Sequence, residues 1–151
     1  MTTDLRGFRP QHPTLYQLAP DGESLEFLFA QCPACRKLVF PANVPGCSHC
    51  GDPLLGAEKV ARTGGGKLLE YVTLHVPLLP GMEVPRIAAD ILIEDGLIEE
   101  GVIAGSDESA LRVGMALRAV AVAQPGGETF ACRFVSAEGA GGWATGSETK
   151  K

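Results

Sequence analysis

The chain has 151 residues, 45% of them hydrophobic and 21% charged, which is the make-up of a soluble globular protein with one core of ordinary size and room for a small satellite. No run approaches the roughly 18 consecutive apolar residues that a membrane-spanning helix needs, and a formal net charge of −5 has the wrong sign for a surface that neutralises nucleic-acid phosphates. Met1-Thr2-Thr3-Asp4-Leu5 opens no apolar run behind a basic start, so the expected compartment is the cytoplasm, where thiols stay reduced.

Residues 1–24, with Pro10, Pro13 and Pro20 and the turn signal Asp21-Gly22, read as an irregular arm carrying one short helix around Thr14 to Leu18. From Ser24 to Phe29 the chain turns apolar and aromatic and runs into Cys32, and Leu38-Val39-Phe40 leaves the first cysteine pair in the same way. Residues 25–56 are therefore expected to form a metal ribbon around Cys32-Pro33-Ala34-Cys35 and, eleven residues later, Cys47-Ser48-His49-Cys50. Each Cys-x-x-Cys folds into a tight turn that aims both sulfurs at one point, and two such turns make the tetrahedral S4 cage that zinc prefers. Four protein ligands leave no open position, so the metal builds shape rather than chemistry.

Disulfides conflict with the expected reducing compartment, and a redox dithiol needs one Cys-x-x-Cys beside a βαβ pattern that this chain lacks. Iron in a rubredoxin-like site is the rival reading, because tetrahedral S4 geometry suits both metals. Nothing else in the chain points to electron transfer, and colour decides the matter. Cys50 completes the regular spacing, which leaves His49 behind the ligand shell or facing solvent.

Residues 57–66 read as a linker that ends in Gly64-Gly65-Gly66. Three glycines can cradle a phosphate, but no helix or lysine-serine pair stands behind them, so a hinge is the expectation. Lys59, Arg62 and Lys67 around this run suit contact with phosphate and equally suit a solvated linker. From 67 to 137 every signal is β. Leu68–Val76 is rich in β-branched and aromatic residues and ends at Pro77-Leu78-Leu79-Pro80-Gly81. Arg86–Glu94 places Ile87, Ala89, Ile91 and Ile93 on one face, and Asp95-Gly96 turns it into Leu97–Ala104. A loop at Gly105–Glu108, a helical turn at Ser109–Arg112, and strands Met115–Ala123 and Thr129–Ser136 complete five strands, the count of a small Greek-key barrel of the OB type. Residues 138–151, glycine-rich around Trp143, read as a flexible tail.

Cys132 alternates with Phe130 and Phe134, the pattern of a buried thiol. With four cysteines committed to metal and only His12, His49 and His75 present, no Cys-His pair for nucleophilic catalysis is visible, and His75 at a strand end reads as structural or interfacial. Glu94-Asp95 and Glu99-Glu100 read as solvated hairpin charges. Leu15, Tyr16, Leu18, Leu54, Leu55, Leu78, Leu79 and Trp143 are expected outside the barrel core, and Leu78, Leu79 and Trp143 are the candidate partner-binding residues.

The order of ribbon, short linker and barrel, with Asp95-Gly96 in the second hairpin and Leu111-Arg112-Val113-Gly114-Met115-Ala116-Leu117 entering the fourth strand, resembles the DUF35 family of zinc-ribbon/OB-fold accessory proteins over residues 25–136. The resemblance implies a non-catalytic chain that binds a thiolase-fold catalytic subunit in a hetero-oligomer, with acyl-CoA at the seam and structural zinc in the ribbon. The Pro-rich stretch Val76–Pro85 and the glycine-rich end depart from the family pattern. Two other classes remain open. A nucleic-acid module would need aromatic platforms in a basic groove, yet Arg86–Ala104 has no aromatic residue and one basic one. A free-standing acyl-CoA binder would rely on Lys59, Arg62 and Lys67.

Overall fold

In the computed structural model, which describes residues 5–137, ten strands and one short 3-10 turn follow in chain order. They are β1 (Arg9–Pro10), β2 (Tyr16–Leu18), β3 (Leu25–Gln31), β4 (Leu38–Val39), β5 (Glu58–Thr63), β6 (Gly65–Leu74), β7 (Arg86–Glu94), β8 (Leu97–Ile103), the 3-10 turn Glu108–Ala110, β9 (Ala116–Ala123) and β10 (Thr129–Ser136). Contacts divide them into two units. The first holds residues 5–64 with Ala121–Cys132, and the second holds Gly65–Val120 with 133–137.

The first unit is organised by β3. Leu25, Phe27 and Phe29 alternate onto its buried face, and Phe27 and Phe29 stack against Phe40 at ring-centroid distances of 5.8 and 5.3 Å. Three segments pair with it antiparallel: β2 with Tyr16 opposite Phe27, β4 with Ala30 opposite Val39, and β5 from Glu26 opposite Thr63 to Gln31 opposite Glu58. The arm is ordered through its backbone, with Arg9 and Pro10 of β1 running parallel to Thr129 and Phe130 of β10. Where a short helix is expected around Thr14–Leu18, a single turn hands over to β2. A helix that short is marginal by itself, whereas Tyr16 in β2 buries its ring near Phe130, 6.2 Å between centroids. Tyr16 is therefore core and not part of an exposed arm surface.

The expected linker also carries regular structure. Residues 58–63 form β5, because β3 has a second edge whose backbone groups need partners and the extended Lys59-Val60-Ala61-Arg62 supplies them. The glycine run follows from close approach rather than from flexibility. A Cβ on Gly64 would lie 2.7 Å from the Phe27 ring and 2.9 Å from the Leu25 carbonyl oxygen. In the second unit a Cβ on Gly65 would collide with the Leu117 carbonyl, and one on Gly66 with the Leu92 carbonyl and the Ile91 side chain.

The barrel strands are ordered β10-β8-β7-β6-β9, and β9 pairs back onto β10 to close the ring. The β8–β10 pairing is parallel and the β6–β7, β7–β8 and β6–β9 pairings are antiparallel. Leu68, Ile87, Ala89, Ile91, Leu97, Ile103, Leu117 and Phe134 are buried. A mainly β chain with a ribbon followed by a closed five-stranded barrel is the architecture expected from the sequence. Substituting Gly66 by Ala should lower stability by about 3 kcal/mol, because backbone oxygens cannot swing aside as a flexible side chain can. Chemical denaturation measures this, and an unchanged midpoint would contradict the close approach.

Candidate metal centre

The two Cys-x-x-Cys segments fold into matching turns. In the first, the Arg36 N–H donates to the Cys32 carbonyl (2.9 Å) and the Cys32 N–H to the Lys37 carbonyl (2.9 Å). In the second, the Gly51 N–H donates to the Cys47 carbonyl (2.9 Å) and the Cys47 N–H to the Asp52 carbonyl (2.8 Å). Each turn also directs a backbone N–H at a sulfur: Cys35 to Cys32 Sγ at 3.4 Å, and His49 to Cys47 Sγ at 3.3 Å. The residue after each second cysteine sits in the left-handed region, Gly51 at φ 85° and Arg36 at φ 69°. Glycine takes this conformation without strain and arginine does not.

All four sulfurs lie within 4.8 Å of one another, with Cys32 Sγ 3.6 Å from Cys50 Sγ and Cys35 Sγ 3.7 Å from Cys47 Sγ. A tetrahedron of metal–sulfur bonds of about 2.3 Å has edges of about 3.8 Å, so the cage already has the size zinc requires. Among the described residues this is the one group of His, Cys, Asp or Glu donors that converges closely enough to hold a metal ion. Zinc supplies structure here, cancelling thiolate charge and tying the two turns together, with no position left for substrate.

The surroundings fit that role. Cys32 and Cys47 pack with Ala30, Val39 and Leu54, while Cys50 lies at the exposed rim. Leu54 belongs to this core and not to an exposed surface, and the Asp52 carboxylate holds its turn by accepting the Leu54 N–H at 2.9 Å. His49 lies behind the ligands, its Nε2 3.0 Å from the Leu38 carbonyl oxygen, which fastens the second turn to β4. Burial pushes the Cys47 thiol up, yet N–H donors from His49 and Cys50 and the neighbouring Cys35 and Cys50 side chains prevail and bring it to about 6. At Cys50 the Asp52 N–H pulls down, but burial and the Cys32, Cys35 and Cys47 sulfurs push it up to about 12. The protons resist leaving together because four negative sulfurs share one cage, and a dication removes that obstacle.

Other residues singled out in the sequence do not gather around this centre. Lys59 and Arg62 are exposed on β5, three positions apart and hence on opposite faces of the strand. Lys67 is exposed on β6 in the second unit. Leu78 and Leu79 are exposed after β6, as is His75, and Trp143 lies outside the described residues. Cys132 is half-buried rather than buried. Glu99 faces the barrel interior opposite Ile91, and burial raises its carboxyl pKa, so it is not a freely solvated hairpin charge. The left-handed Arg36 was invisible in the sequence, where only a glycine at that position would have announced it.

One equivalent of zinc and a colourless protein are expected on elemental analysis, and iron would contradict the assignment. Cys47→Ser should lose the metal and melt the ribbon while amide signals of residues 65–120 keep their dispersion. Arg36→Gly should raise the stability of the zinc-loaded protein by about 1 kcal/mol, and Gly51→Ala should lower it by a similar amount. Protons compete with zinc for thiolate, so release to a chelator should quicken as the pH falls, and faster release at alkaline pH would contradict the cage.

Comparison with known proteins agrees with this geometry. Residues 22–55 match the family described as the ChsH2, rubredoxin-like zinc ribbon domain. The chain is 31% identical over 80 residues to the 3-oxo-4,17-pregnadiene-20-carboxyl-CoA hydratase alpha subunit of Mycobacterium tuberculosis, a match covering 53% of this chain and 26% of that protein. It is 28% identical over 85 residues to the probable enoyl-CoA hydratase alpha subunit of Thermomonospora curvata, covering 56% and 26% respectively. The match thus spans about a quarter of the length of either relative. Among solved structures, a chain of the Ltp2-ChsH2(DUF35) aldolase superposes with a TM-score of 0.58 at 24% identity, over 74% of this chain and 85% of that one. Residues 22–55 thus match the ChsH2 rubredoxin-like zinc-ribbon domain, and the chain shares the ribbon-and-barrel fold of a chain of the Ltp2-ChsH2(DUF35) aldolase.

Proposed function

We propose that this chain is a non-catalytic subunit that binds a thiolase-fold partner and helps to form or stabilise an acyl-CoA thiolase or acyltransferase complex. The observation that carries the reading is the likeness over most of the fold to a chain of the Ltp2-ChsH2(DUF35) aldolase. Two relatives named as alpha subunits of CoA-thioester hydratases point to the same class of substrate. Size and layout also resemble the accessory subunit of benzoylsuccinyl-CoA thiolase, which makes an aromatic acyl-CoA the first substrate to try.

The described residues support an accessory role. Acyl transfer to an enzyme needs an activated nucleophile with a base beside it. Here four thiols form the metal cage, the His49 ring bonds to the Leu38 carbonyl, and His12 and His75 stand exposed. On this reading the catalytic cysteine belongs to the partner. Leu78 and Leu79, 68% and 69% exposed, and Val76, 68% exposed, offer apolar contact area in the loop after β6. A nucleic-acid role is disfavoured, because the outward faces of β6, β7 and β8 carry Glu70, Asp90 and Glu100 where a phosphate backbone would need cations.

Purified from its native source, the chain should co-elute with a thiolase-sized protein, and alone it should turn over no acyl-CoA. Nucleic acid in place of that protein would overturn the reading. Within the complex, Cys132→Ala should keep most of the turnover, and loss of a covalent acyl intermediate would expose a misread nucleophile. Arg62→Ala should raise the apparent KM for the CoA substrate without dissociating the subunits, and deleting residues 139–151 should weaken assembly through loss of Trp143. If both variants behave like the parent, neither the β5 cation nor the tail contributes.

A further inference from the structure

The outward face of β6, β7 and β8 lies entirely within the second unit and is built of cross-strand rows. Glu70, Asp90 and Glu100 stand directly opposite one another in the middle row. Val72, Ala88 and Val102 form the row on one side, and Lys67, Leu92 and Ile98 the row on the other. On β7 the three rows are two residues apart, which is about 7 Å along the strand. Val72 is 55% exposed and Ile98 56% exposed, so exposed apolar surface flanks the middle row on both sides. A shallow, open depression of about 150 Å³ lies on this sheet, lined by Glu70, Tyr71, Val72, Ala88, Ala89, Asp90 and Glu100.

Like charges directly opposite across strands destabilise a sheet, and among the described residues none of these three carboxylates has a hydrogen-bonded or ion-paired partner. A single metal ion does not answer them, because their oxygens do not converge as the four sulfurs do. Phosphate ligands are repelled. A group that would satisfy splayed carboxylates is a planar, forked cation with several N–H donors, and an apolar residue on each side of it would cover the flanking rows.

Resting on the reading that the chain has a protein partner, we propose that this face is the docking surface for an extended segment of that partner with the side-chain order apolar, arginine, apolar at alternate positions. An extended strand repeats its side chains about every 7 Å on one face, the same interval as the rows. The arginine meets Glu70, Asp90 and Glu100, and its neighbours lie on Val72 with Ala88 and on Leu92 with Ile98. Charge complementarity selects arginine, and the row spacing selects an extended rather than a helical segment.

The test uses the full zinc-loaded chain, labelled with nitrogen-15 and titrated with the blocked peptide acetyl-Leu-Thr-Arg-Thr-Leu-amide. Shifts are expected at Glu70, Val72, Ala88, Asp90, Ile98 and Glu100, and Asp90→Asn should weaken binding about fivefold while the rest of the spectrum stays in place. Equal binding of the peptide with glutamate in place of arginine, no shifts, or shifts elsewhere would overturn the proposal. So would shifts that depend only on the chain's own concentration, which place a second copy on the face, or stronger shifts with a thymidine oligonucleotide. In the co-purified complex Asp90→Arg should release the partner. If the partner stays bound, this face is not the interface although the accessory reading stands. If the peptide binds as described but no acyl-CoA enzyme co-elutes, the face is a docking surface and the accessory reading fails.

Discussion

Four thiolates confined within 4.8 Å repel one another, a bound dication cancels that repulsion, and the rest of the ribbon is arranged around that fact. A segment of this size cannot bury enough apolar surface to fold unaided, and its metal-binding free energy becomes folding free energy. The two turns share one hydrogen-bonding scheme because each must aim an N–H at a sulfur and reverse the chain within four residues. That geometry is demanding enough to hold Arg36 in a conformation that glycine takes more easily. Once the cage is set, Cys32 and Cys47 act as core residues, and Val39 and Leu54 pack on them as on any buried side chain.

In the second unit the controlling constraint is how closely backbones approach. Gly65 and Gly66 let β6 lie against the Leu117 and Leu92 carbonyls. On β8, Gly101 leaves room for the Phe134 ring, which would come within 2.5 Å of a Cβ there. Small residues on the walls are paid for by large ones in the interior, and Phe134, Ile87, Ile91 and Leu68 fill the space that the glycines open. The inward residues thus answer to packing, whereas the acidic middle row of the outward face answers to no packing requirement.

Features governed by local chemistry were legible in the sequence. Cysteine spacing gives the cage, the alternation of Ile87, Ala89 and Ile91 gives β7, and Asp95-Gly96 gives the hairpin after it. Features governed by distant partners were not. Residues 58–63 look like a charged linker because the reason for β5 is the open edge of β3, some thirty positions away. Tyr16 looks exposed because Phe130, the ring beside it, arrives from the far end of the chain. The glycine run looks flexible because its crowding comes from carbonyls of Leu25, Leu92 and Leu117, none of them a sequence neighbour. Cys132 shows the limit of alternation: it shares a face with Phe130 and Phe134, yet it is only half-buried between two buried rings.

Electrostatics also separates the ligands this chain can meet. The outward face of β6–β8 concentrates carboxylates, so phosphate groups gain nothing there, while an arginine gains an ion pair and sheds little hydration. The exposed cations of β5 are split, Lys59 on one side of the strand and Arg62 on the other, so no more than one of them can meet a given phosphate. A binder acting alone would need several cations converging on the nucleotide of coenzyme A. Among the described residues of β5 the cations are not gathered in that way. The thiols show a similar division: Cys32, Cys35, Cys47 and Cys50 build the cage, and none of them is left to act as a nucleophile.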